Sequence, residues 1–204
     1  MAPASNSFKK LWPEASIINL LDESLAIDML IDKKMTPRMV ERFARLGQYC
    51  VDAGADAILF TCSAFGEAIN HLKTLQRIPI LTPNQALFEE LLAMGGKAAM
   101  LTTFTPSVQA LRSELLEMAA AQHLKPDVDS FMVEGALDEL LAHRGPEHDR
   151  LIAQRVNGLD QYPTIVLGQF SMAQAALHPD VKTSARILTT PDCAVRKLKG
   201  LLSA

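Results

Sequence analysis

Between Pro37 and Val51 the apolar residues Met39, Val40, Phe43, Leu46, Cys50 and Val51 recur at three- and four-residue intervals. They form one helical stripe, and Gly54 closes it. The pattern then changes to a short unbroken run, Ala57-Ile58-Leu59-Phe60, which suits a strand buried on both faces of a parallel sheet. Thr-Pro occurs four times, at Thr36-Pro37, Thr82-Pro83, Thr105-Pro106 and Thr190-Pro191. Each pair predicts a helix start: threonine accepts an N–H bond as N-cap, and proline fits the first helical position, where its missing donor costs nothing. Gly95-Gly96 ends the helix begun at Pro83, and Lys97 to Leu101 reads as the next strand.

The order of these patterns repeats. Ala57-Ile58-Leu59-Phe60-Thr61-Cys62-Ser63, a helical pattern and Ile80-Leu81-Thr82-Pro83 match a second series. That series is Thr164-Ile165-Val166-Leu167-Gly168-Gln169-Phe170, a helical pattern and Ile187-Leu188-Thr189-Thr190-Pro191. Upstream, Ser16 to Leu25 matches Ser130 to Leu137 more weakly. Alternating strands and helices imply an α/β fold with parallel sheets in two similar lobes. One part of the repeat has no counterpart. The second half opens with a strand at Lys97 to Leu101, whereas the first half opens with its helix, around Ser7 to Leu11. Either the natural start lies upstream of Met1, or the first lobe is built without that strand.

Composition narrows the class. The chain of 204 residues is 49% hydrophobic and 21% charged, with a net charge of −3, as in ordinary globular proteins. No basic cluster favours nucleic acid, and no apolar run approaches the roughly 20 residues that span a bilayer. The first residues lack the pattern of a secretion signal. The three cysteines, Cys50, Cys62 and Cys193, are widely spaced and form neither a disulfide framework nor a zinc motif. These features predict a reducing, cytoplasmic setting without membrane or nucleic-acid partners. Asp22-Glu23 and Glu89-Glu90 read as solvated charges. Cys193, inside the helix after Pro191, reads as a packing residue.

In open α/β sheets, ligands bind beyond the carboxyl ends of the strands. Cys62 stands at such an end, before a helix whose unpaired N–H groups and dipole favour thiolate. A small buried residue is the bland alternative. His71 lies about 13 Å away along a continuous helix, too far to serve as its base. His143-Arg144-Gly145-Pro146-Glu147-His148 holds ligand-type side chains, but Gly-Pro breaks the spacing that would converge them on a metal. No nucleotide-binding glycine motif is present.

The segment Phe60-Thr61-Cys62-Ser63-Ala64-Phe65-Gly66 resembles the first cysteine motif of the aspartate/glutamate/hydantoin racemase superfamily. Thr103-Phe104-Thr105-Pro106-Ser107 is similar to its carboxylate-binding loop. Val166-Leu167-Gly168-Gln169-Phe170-Ser171-Met172-Ala173 corresponds to its second cysteine motif. The resemblance covers nearly the whole chain. It implies two Rossmann-like or flavodoxin-like lobes related by pseudo-twofold symmetry, and no metal or organic cofactor. The expected lobes are 1–95, completed by 187–204, and 96–186.

In that family two cysteines face a substrate from opposite sides, one removing the proton next to a carboxylate and the other returning one. The resemblance makes Cys62 catalytic, and Ser63, Thr103, Ser107, Gln169 and Ser171 substrate-binding. The hydroxyls have a purely local alternative, since Ser63 and Thr105 stand at helix starts. The second cysteine position is Gln169, which has no proton to exchange near neutral pH. The expected function is therefore a cofactor-independent, Cys62-dependent racemase or isomerase of a small acid or amino acid. One alternative is a decarboxylase of a malonate-like acid, although the superfamily's arylmalonate decarboxylases keep the second cysteine, not the first. Another is a non-catalytic binder of small carboxylates. A homodimer would cover the apolar surface that the absent strand leaves.

Overall fold

The computed structural model describes residues 2–203. Helix α1 (Ala2–Leu11) leads through an extended stretch to α2 (Glu23–Asp32) and α3 (Pro37–Asp52). Strand β1 (Ile58–Leu59), a 3-10 turn (Ser63–Phe65), α4 (Gly66–Leu75), β2 (Ile80–Leu81) and α5 (Gln85–Met94) complete the first half. The second half runs through β3 (Lys97–Thr102), α6 (Thr105–Ala121), β4 (Asp127–Met132), α7 (Ala136–Leu141) and α8 (Gly145–Asn157). It ends with β5 (Thr164–Leu167), a 3-10 segment (Phe170–Leu177), β6 (Arg186–Thr189) and α9 (Thr190–Leu202). All described strand pairs are parallel, in one sheet β1-β2 and one ordered β4-β3-β5-β6.

Alternation along the strands divides the larger sheet's core between its faces. Ala99, Leu101, Ile165 and Leu167 pack with Ile152 and Val156 of α8 and with Met172. Ala98, Met100, Val166 and Leu188 turn the other way, toward Leu87, Phe88 and Leu91 of α5, Leu111 and Leu115 of α6, and Ala194 and Leu198 of α9. Half-buried Ala57 and Leu59, from the smaller sheet, join this second cluster, so α5 and α9 lie in a layer that both sheets reach. Segment 187–204, expected to complete the first lobe, therefore has two allegiances. Its strand pairs with β5 of the larger sheet, and its helix packs in the shared layer.

A third cluster holds the first lobe, with Leu25, Met39, Phe43, Phe65, Ile69 and Leu72 around β1 and β2. Here α3 and α4 approach so closely that a Cβ on Gly47 would lie 2.4 Å from Leu72 carbons. Three of the four expected Thr-Pro caps differ. Thr36 accepts from the Met39 N–H as predicted, but α9 is capped by Thr189, because Thr190 donates its hydroxyl to the Leu167 carbonyl. Asn84 occupies the cap position of α5, and Thr105 donates to the Met132 sulfur instead of capping α6.

Of the four acidic residues read as solvated charges, Glu23 is exposed as expected, but the other three are paired. Asp22 caps α2 and pairs with Arg42 of α3. Glu90 pairs with Arg186 and Arg196, and Glu89 with Lys197, tying α5 to β6 and α9. No described helix is long and apolar enough to cross a membrane.

Candidate active site

Each half ends its central strand with the same backbone turn. Cys62 follows β1 and precedes a 3-10 turn at φ −121°, ψ 123°; Gln169 follows β5 and precedes a 3-10 segment at φ −135°, ψ 145°. The correspondence seen in sequence is thus a correspondence of backbone.

Around Gln169 the site is built. Its Oε1 accepts from the Thr103 N–H at 2.7 Å and from the Thr103 hydroxyl at 3.0 Å. A backbone N–H can only donate, so the amide oxygen must face Thr103 and the NH₂ group must point away. That NH₂ has no hydrogen-bond partner among the described residues. Gly168 lets β5 reach this point. Its N–H donates to the Leu101 carbonyl at 3.0 Å, and an added Cβ would lie 3.2 Å from that oxygen and 2.8 Å from Leu111.

Around Cys62 the site is open. The thiol is free and exposed, and Ser63 is exposed with no side-chain bond to cap the turn. Ser107 is half-buried in the first turn of α6, with its N–H on the Phe104 carbonyl, and Ser171 is half-buried in the 3-10 segment. The structure therefore joins Thr103 and Gln169 directly. It sets Cys62 and Ser63 at the equivalent end of the other sheet, with no described hydrogen bond to that pair.

Cys193 is 1% exposed, and burial beside Glu90 pushes its thiol up to about 12. It packs. His148 is buried with Nδ1 2.8 Å from the Ala136 carbonyl, while His71 lies exposed on α4.

Sequence reasoning passed over two polar groupings. Asn84, at the strand end after β2, is 2% exposed and donates to Glu114 at 2.8 Å. Burial raises the Glu114 carboxyl and lowers the ammonium of nearby Lys73, which donates to Gln85. The strand-end rule that singled out Cys62 applies equally to Asn84 and was the available signal. The second grouping lines a cavity of about 580 Å³ between α1, the Phe170–Leu177 segment and the start of α9. There Asp192 accepts from Ser7 at 2.5 Å and from Lys10 at 3.1 Å. Another cavity of about 540 Å³ lies between α6 and β4, beside Arg112, Asp129 and Ser130. Neither lining includes Cys62, Thr103 or Gln169.

Two repeated parallel sheets, each with a polar residue just beyond its strand end, define a two-lobed α/β protein. The profile of the Asp/Glu/Hydantoin racemase family matches residues 14–198, and the chain belongs to that family. Solved structures agree in fold. An aspartate racemase homologue from Pyrococcus horikoshii OT3 superposes with a TM-score of 0.67 at 14% identity, over 100% of this chain and 93% of that one. For a glutamate racemase from Bacillus anthracis the values are 0.64 and 13%, over 99% and 77%. For an allantoin racemase from Klebsiella pneumoniae they are 0.58 and 17%, over 80% and 66%. No curated protein sequence matches the chain.

Proposed function

We propose that the chain is a cofactor-independent racemase or isomerase that moves a proton next to the carboxylate of a small acid or amino acid, with Cys62 as acid and base. The observation carrying this reading is the pairing of a free strand-end thiol with an amide at the equivalent position of the other lobe. In the reading, the Cys62 thiolate takes the α-proton, and the C–H electron pair moves into the bond toward the carboxylate, giving an enediolate. That charge needs preorganised donors. The free NH₂ of Gln169 supplies one, and Ser63, Ser107 and Ser171 supply hydroxyls. Thr103 uses both its donors on Gln169 and acts as a positioning residue. Cys62 then returns a proton to the face it came from. Inversion needs a proton on the other face, where Gln169 has none to give and water must supply it.

A second reading follows from the same asymmetry. One thiol suffices to protonate the enediolate left when a malonate-like acid loses CO₂, so decarboxylation is the runner-up. A non-catalytic carboxylate binder is third. The family and a free, exposed strand-end thiol support the enzymatic readings. Incubating small amino acids, hydroxy acids and substituted malonates in D₂O with wild type and Cys62→Ser tests them together. The expected result is α-deuteration, or CO₂ release, that falls by about 10²–10⁴-fold in the variant. Turnover that survives the substitution rejects the assignment. Ligand-induced thermal stabilisation without any turnover favours the binder.

A further inference from the structure

The larger sheet ends in a strand with regular pairing on one side only. β4 stands last in the order β4-β3-β5-β6, and among the described residues it pairs with β3 alone. The Val133 N–H donates to the Thr102 carbonyl at 2.7 Å, which turns the backbone groups of Asp129, Phe131 and Val133 inward to β3. The alternate residues Val128, Ser130 and Met132 therefore aim their N–H and C=O groups outward. The cavity of about 540 Å³ follows this edge, lined by Gln109 and Arg112 of α6 and by Asp129, Ser130 and Tyr162. The outward groups thus open onto space that a strand can enter.

The edge is complementary to itself. Its outward positions are centred on Ser130, and Pro126, which has no N–H, ends the series on the N-terminal side. The Ser130 hydroxyl is buried without a hydrogen-bond partner among the described residues. On the strand's other face, Asp129 accepts from the Tyr162 hydroxyl at 2.6 Å and pairs with Lys97 at 3.4 Å. Two residues on, the Arg155 guanidinium lies 4.7 Å from the Phe131 ring centroid and forms no ion pair among the described residues. A negative group at 129, an unpartnered hydroxyl at 130 and a positive group over 131 thus follow one another.

We propose that the open edge of β4 seats a second copy of this chain, paired antiparallel about a twofold axis at Ser130. In that register Ser130 faces Ser130 of the second copy, and Val128 faces Met132 of the second copy. Every outward N–H of the strand then meets an outward carbonyl, and the two four-stranded sheets become one. Residues directly opposite share a face and stand about 5.5 Å apart at such a hydrogen-bonded pair. The two Ser130 hydroxyls therefore reach each other across the axis, and each gains the partner it lacks. Phe131 of the second copy falls opposite Asp129 and carries Arg155 of the second copy to that carboxylate, a contact that symmetry makes twice. An unrelated peptide can also add a strand to an edge. It supplies neither the facing hydroxyl nor the facing guanidinium, and these favour the second copy.

The test is sedimentation equilibrium of the full chain, wild type against Ser130→Pro and Arg155→Glu, with amide hydrogen exchange at Ser130 and Met132. Proline at 130 removes an outward N–H and no bond to β3. Glutamate at 155 sets like charge against Asp129 across the axis. Wild type should dimerise, and each variant should move the midpoint toward monomer by about tenfold or more in concentration. Exchange at both amides should slow by about tenfold or more from dilute to concentrated wild type and stay fast in Arg155→Glu. Melting curves show whether the variants fold, and Arg155→Glu carries the test alone if the proline variant does not. A monomeric wild type overturns the proposal and leaves the edge to another strand. So does a dimer that both variants leave intact, or one that Ile18→Asp breaks instead, which places the contact on the exposed stretch 16–21.

Discussion

Strands β5 and β1 carry aligned sequences and end in the same turn, yet they differ in burial. β5 is buried at every position and hydrogen-bonded on both edges, whereas β1 is half-buried and paired on one. The difference extends to the polar residue that follows each. Gln169 is fixed by two bonds from Thr103, the residue that β3 delivers. Cys62 has no hydrogen-bond partner among the described residues and stands exposed. A strand-end site thus owes its order less to its own strand than to the strand beside it.

The largest effect that probes this contrast is on stability. Ile165 and Ile58 are equivalent in the repeat, but Ile165 is 0% exposed and Ile58 is half-buried. Ile165→Ala should cost about 2–5 kcal/mol in denaturant unfolding, and Ile58→Ala roughly half that or less. Equal losses would mean the two sheets are equally packed. Thr103→Val comes next. It keeps the N–H bond to Gln169 but removes the hydroxyl's, so stability should fall by about 1 kcal/mol. Substrate affinity should weaken while the Cys62-dependent proton transfer persists, as separate KM and kcat values would reveal.

Two pH effects are smaller and opposite in sign. Burial raises the Glu114 carboxyl, so its neutral form is favoured in the fold. Its contribution is present below the ordinary carboxylate range and is lost as pH rises through the raised value. Glu114→Gln should remove that loss in melting curves taken across the weakly acidic range. Asp22 is lowered, first by its hydrogen bond from Ser24 and also by Arg42. Its contribution is present above the usual aspartate range and lost as pH falls through the lowered value. Asp22→Asn should flatten the acid limb by no more than about 1 kcal/mol, since the Arg42 pair is partly solvated.

Much of this was legible in the sequence because it is local or periodic. The stripe of α3, the apolar runs of β1 and β5, the Gly95-Gly96 stop and the equivalence of Cys62 with Gln169 all follow from short-range pattern. What stayed hidden depends on partners distant in the chain. Thr189 and not Thr190 caps α9 because Thr190 finds the Leu167 carbonyl. Glu89 and Glu90 look solvated until α9 brings Lys197 and Arg196 against them. Asn84 gains its role only when Glu114 arrives from α6. The role of Thr103 likewise emerges only with Gln169, far along the chain.

The account stands or falls on the proton moving on the thiol's side alone. Following deuterium incorporation and enantiomeric composition together, with a substrate found in the D₂O panel, measures this directly in wild type and Gln169→Cys. Wild type should exchange its α-proton faster than it inverts, and the second thiol should raise inversion by about 10²-fold or more until the two rates converge. Inversion that keeps pace with exchange in wild type and ignores the substitution would show that both faces are already served, contradicting the account.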